Sequence, residues 1–132
     1  MKPLPHRYDV LLAAGATGYA TVTTPGAPDL RAAPPVDFDG PGDAWSPEAL
    51  LLAAVATCFL FTLRAVARAS RIDFTSLELA VAGTVNTQDG VMRFTEIVLR
   101  PRLSVPPGAR ARSARLLARS PRRPTGSCRR AG

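Results

Sequence analysis

The chain has 132 residues and a mass of 14.0 kDa, a length that suits one domain and is large enough to bury a core. A composition of 46% apolar and 20% charged residues excludes a wholly disordered chain, and two cysteines are too few for a disulfide-built scaffold. The formal charge of +7 points first to a polyanionic partner, but residues 1–96 hold all ten acids against seven bases, whereas 97–132 hold ten arginines and no acid.

From Arg7 to Thr24 the chain reads as a hairpin. Tyr8, Val10 and Leu12 alternate, Gly15 and Gly18 supply a turn, and Tyr19 to Thr24 is rich in Thr and Val. Six prolines between residues 25 and 47 then predict a loop without regular structure. A helix follows, with Ser46 as cap, Pro47 at its first position and Glu48 suited to the positive helix end. Leu50 to Val66 is apolar nearly all round, the pattern of a buried core helix that ends near Ser70.

A second hairpin is predicted from Thr75 to Val85 and Val91 to Val105, joined by a polar turn over Asn86 to Gly90. Pro106-Pro107-Gly108 ends it, and Ala111, Ala114, Leu117 and Ala118 outline a short last helix. The order is hairpin, helix, hairpin, helix, an α+β fold. After Leu117 the text turns to Arg, Pro, Ser and Gly, so 1–117 reads as the domain and 118–132 as an exposed tail.

Val10 to Ala16 is too short and too close to Asp9 for an export signal. The uncharged run Ala49 to Leu63 is 15 residues, below what a bilayer crossing requires. The expectation is a cytoplasmic protein with free thiols and no membrane partner. The tail lacks aromatics for base stacking, so specific nucleic-acid readout is not expected; salt-sensitive polyanion binding through 109–132 is a weaker alternative.

Cys58 leads the residues that could carry chemistry. In an apolar helix a free cysteine is most often a small core residue, and a reactive thiolate needs a positive neighbour. Glu48 is ten residues earlier, about 15 Å along a straight helix axis, so the two cannot touch within one unbroken helix. A kink near Thr57, a cation from a loop or a second subunit would be required. Acids favour helix starts in any case, which is the plain reading of Glu48. His6 stands alone, so neither a His-paired triad nor a multi-His metal site is available, and no cofactor is expected. Gly40-Pro41-Gly42 lacks the spacing of a phosphate loop, and Trp45 is expected to pack the loop onto the helix.

The segment VDFDGPGDAWSPEALLLAAVATCFLFTLRAVARAS resembles the signature of the OsmC/Ohr family of thiol peroxidases. It keeps the Ser-Pro-Glu of Glu48 and, ten residues on, the Cys-Phe pair Cys58-Phe59. The resemblance runs from about His6 to Leu117 and implies an intertwined homodimer of α+β subunits with active sites at the subunit interface. Cys58 would match the peroxidatic cysteine that attacks an organic hydroperoxide, and Glu48 the acid that orients a cationic partner of the thiolate. A dithiol reductant, a lipoyl protein in the Ohr branch, would restore the thiol.

Two departures accompany the match. The hairpin-turn Arg of Ohr members is absent, with Ala16, Thr17, Gly18 and Tyr19 in its place; Arg7 or Arg31 could substitute, but neither matches the motif. The resolving-cysteine motif is also absent: Cys128 stands in Ser127-Cys128-Arg129, the setting of a diverged end or a shifted reading frame after Leu117. The expected function is thiol-dependent reduction of organic hydroperoxides, impaired to the extent that these groups matter. The alternative is a catalytically inactive OsmC-fold dimer that binds a small apolar molecule.

Overall fold

The structure, a computed structural model, describes residues 1–108, so the predicted last helix, the 118–132 tail and Cys128 lie outside the described residues. The chain forms two compact units. One contains Met1–Cys58 and Ala80–Arg100, the other Phe59–Leu79 and, of the described residues, 101–108.

In the first unit β1 (Leu11–Ala14), β2 (Ala20–Thr23) and β3 (Leu30–Ala32) form an antiparallel sheet in the order β1-β2-β3. Leu12 stands opposite Val22, and Val22 opposite Leu30. The hairpin expected in this region is present, but the loop after it is not devoid of regular structure. Prolines 28 and 34 flank β3 without entering it, so no ladder donor is lost and Leu30–Ala32 can pair with β2.

A single 3₁₀ turn (Val36–Phe38) follows, closed by Asp39 at φ 59°. At Gly40 any Cβ would collide with the Pro34 carbonyl, so only glycine permits this close backbone approach. The loop returns along β3: Trp45 N–H donates to Arg31 O at 3.2 Å and Ala33 N–H donates to Trp45 O at 3.0 Å. Trp45 thus anchors the loop through its backbone. Trp45 as a residue remains 47% exposed.

Helix α1 (Pro47–Ala69) begins as the sequence predicts. Ser46, itself buried, accepts the Ala49 N–H on its Oγ at 3.1 Å, satisfying one of the helix's orphan donors. In the second unit the helix ends one residue before Ser70. Arg71 takes the left-handed conformation at φ 54°, its N–H donates to Arg68 O, and Ile72 N–H reaches back to Ala67 O at 2.9 Å. This is a Schellman closure with arginine where glycine is usual.

The second hairpin pairs β4 (Ser76–Gln88) with β5 (Val91–Ser104). Its turn is only Asp89-Gly90, narrower than predicted, with φ 52° and 75°. Two successive positive φ values match a type I′ turn, whose twist suits the flanking strands, so both strands extend closer to the turn. At the open end Thr75 N–H donates to Ser104 O at 2.8 Å.

The expected burial of α1 needs correction. Leu63 and Ala67 are its only buried residues, and Leu51 and Phe61 are 46% and 58% exposed. One stripe (Ala49, Leu52, Ala53, Ala56, Leu63) is covered, whereas Leu51, Ala54, Cys58, Phe61 and Ala65 are exposed. A helix that is apolar all round has a second face to bury, and among the described residues only one is covered. The 23-residue helix also has the length and composition of a bilayer crossing, a property shared with core helices of soluble proteins.

Candidate functional site

Glu48 and Cys58 are carried by the same uninterrupted helix. Thr57 Oγ donates back to Ala53 O at 3.0 Å and Ala54 O at 3.1 Å, yet α1 runs on to Ala69, so no break brings the two residues together. Cys58 is a free, exposed thiol on the uncovered stripe. Glu48 belongs to the wall of a cavity of about 640 Å³ in the first unit, and Cys58 is absent from that wall.

The cavity lies between the helix start, the 3₁₀ turn and the β4–β5 hairpin. Asp37 supplies a second carboxylate, and Phe38, Leu52, Met92 and Phe94 supply apolar surface. Gly83 leaves room for this wall, since a Cβ there would lie 2.6 Å from Phe94 Cε1 and 3.0 Å from Leu52 Cδ2. Glu48 Oε2 is shut off from solvent and has no hydrogen-bond partner among the described residues. Such an oxygen costs free energy until a donor reaches it.

Arg31 does not reach Glu48. It donates to Asp43 O at 3.0 Å, lies 3.7 Å from Asp43 Oδ2, and stacks 4.4 Å over the Tyr19 ring. Tyr19 O–H in turn donates to the Asp43 carboxylate, with oxygen distances of 2.8 and 2.9 Å. That hydrogen bond, then desolvation and the charge of Asp43, raise the Tyr19 phenol above its ordinary pKa of 10.0, opposed by Arg31. Arg31 therefore joins a clamp on the Gly40–Asp43 loop. The other ion pair among the described residues is Arg102–Glu78 at 3.4 Å, which also leaves Glu48 unpaired.

No cluster of three or more His, Cys, Asp or Glu residues suited to a metal occurs among the described residues. Sequence reasoning overlooked Asp37, the Tyr19–Asp43 pair and the hairpin's share of the cavity. Gly83 was the available signal, because a glycine inside a strand pattern marks a close approach.

A family model described as OsmC-like protein matches residues 40–125. The chain belongs to the OsmC family. That family is linked to osmotic stress and peroxide detoxification. Among OsmC-like folds, the crystal structure of an OsmC-like protein from Mycoplasma pneumoniae aligns with a TM-score of 0.68 at 23% identity, covering 84% of this chain and 78% of the other. A protein from Psychrobacter arcticus 273-4, provisionally described as an osmotic stress induced and detoxification response protein, aligns with a TM-score of 0.66 at 18% identity, covering 84% and 80%. These likenesses establish the shared α+β fold. In sequence, the chain is 37% identical over 67 residues to the uncharacterized protein YmaD of Bacillus subtilis (strain 168). The match takes in 51% of this chain and spans 45% of that relative's length.

Proposed function

We propose that this OsmC-family chain reduces organic hydroperoxides through Cys58, in the cytoplasm, as a homodimer that completes the site. The observation that carries the reading is an exposed thiol, ten residues after Glu48 and followed by Phe59, on an apolar helix stripe that the described residues leave uncovered. The Cys58 thiolate attacks the outer oxygen of a hydroperoxide ROOH. An S–O bond forms as the O–O bond breaks, and the departing alkoxide takes a proton to leave as ROH. Sulfur loses two electrons to the peroxide and becomes a sulfenic acid. One thiol of a dithiol reductant then displaces water to form a mixed disulfide, and its second thiol frees Cys58 as the reductant closes to its own disulfide.

Treating the protein with cumene hydroperoxide and measuring thiol loss tests this reading. The wild type is expected to consume peroxide at least about tenfold faster than Cys58→Ser, reflecting activation above an ordinary thiol. Equal rates per remaining thiol would rule the reading out.

A second reading, an inactive OsmC-fold dimer that binds a small molecule, is favoured by one observation: Arg31 is engaged by Asp43 and Tyr19 instead of standing beside Glu48. Repeated turnover with dithiothreitol discriminates the two, since only the first reading regenerates the thiol.

A further inference from the structure

We propose that the Glu48 cavity is a binding site for a small organic cation, with an ammonium or guanidinium head on an apolar body. The head is called for by Glu48 Oε2, which is secluded from solvent and unpartnered. The helix start does not meet that need, because the Ala49 N–H is held by Ser46 Oγ and the Leu50 N–H by Ser46 O. Nor do the two ion pairs of the described residues, which use Arg31 and Arg102 on other carboxylates. Asp37 adds a second negative charge to the wall, and among the described residues no Lys, Arg or His side chain lines it.

The apolar body is called for by the rest of the wall. Leu52, Met92 and the Phe38 and Phe94 rings present apolar surface, and the aromatic faces themselves attract cations. A volume of about 640 Å³ falls in the range of small-molecule sites. Two carboxylates with no compensating base among the described residues also select against an anion of the same shape, which gives the site a repulsive as well as an attractive element. Because Cys58 lies outside the wall, the binding does not depend on thiol chemistry.

Calorimetric titration of the full chain with 2-phenylethylamine, 2-phenylethanol and 3-phenylpropionate is the test. The amine is expected to bind at least about tenfold more tightly than the alcohol, and the carboxylate more weakly than either. Glu48→Gln is expected to bring the amine down to the affinity of the alcohol, with the circular dichroism spectrum retained. Equal affinity of amine and alcohol for the wild type overturns the proposal, and this comparison decides the matter even if the variant fails to fold. Absence of amine binding overturns it as well. So does an amine affinity that falls as protein concentration rises, because a second copy would then be filling the cavity.

Discussion

Tyr19, Asp43 and Arg31 show how one residue's role depends on which partner reaches it first. Arg31 was one of two candidates, with Arg7, to substitute for the absent hairpin arginine, but Asp43 offers it a carbonyl and a carboxylate, and Tyr19 offers an aromatic face. The clamp has a measurable signature. The phenol's pKa is raised above 10.0 in the folded chain, chiefly by its hydrogen bond to Asp43. A raised folded-state value means that the contribution to stability is fully present below the unfolded value and is lost as pH rises from about 10 through the folded pKa. Phenolate absorbance at alkaline pH should therefore show one tyrosine titrating late. Asp43→Asn should bring it back toward its ordinary value, and a wild-type curve with both tyrosines titrating together would contradict the clamp.

At the scale of elements, helix α1 was the most legible part of the chain because its boundary signals are local. Ser46, Pro47 and Glu48 supply a cap, a pre-set φ and a favourable charge within three residues, and the helix begins there. The other end is less economical. Arg71 holds a left-handed backbone that a side chain disfavours by roughly 1 kcal/mol relative to glycine. Arg71→Gly should stabilise the protein by about 1 kcal/mol and raise the melting temperature by roughly 4 °C, measured by circular dichroism. An unchanged or lowered melting temperature would mean that Arg71 makes compensating contacts. Strand β3 was illegible for the opposite reason: its three residues owe their conformation to β2 and to the Trp45 backbone, partners that no local pattern announces. The turn of the second hairpin lay between these cases. Asp89-Gly90 was within the predicted turn, but its two positive φ values make a tighter connection than five polar residues suggested.

For the whole molecule, family and fold were readable from the spacing of Glu48 and Cys58 and the order of elements, whereas the cavity was not. Its wall joins residues from the 3₁₀ turn, the helix start and both hairpin strands, and such a meeting has no sequence period. Hydropathy likewise could not say what buries α1. An all-round apolar helix was expected to lie in the chain's own core, yet Leu51, Ala54, Cys58 and Phe61 are exposed. The homodimer proposed above would cover this stripe with the same stripe of a second copy. In a two-fold assembly each stripe residue occurs twice, so one substitution acts on both sides of the contact. Full burial of a phenylalanine is worth about 1.5–3 kcal/mol, and Phe61 begins 58% exposed, so much of that gain is still available to association. Phe61→Asp should accordingly convert a dimer into a monomer in sedimentation equilibrium at micromolar concentration while leaving the helical circular dichroism signal in place. The milder Leu51→Gln should weaken the dimer without abolishing it. If wild type and both variants sediment with the same mass, the exposed stripe is not the surface through which two copies meet.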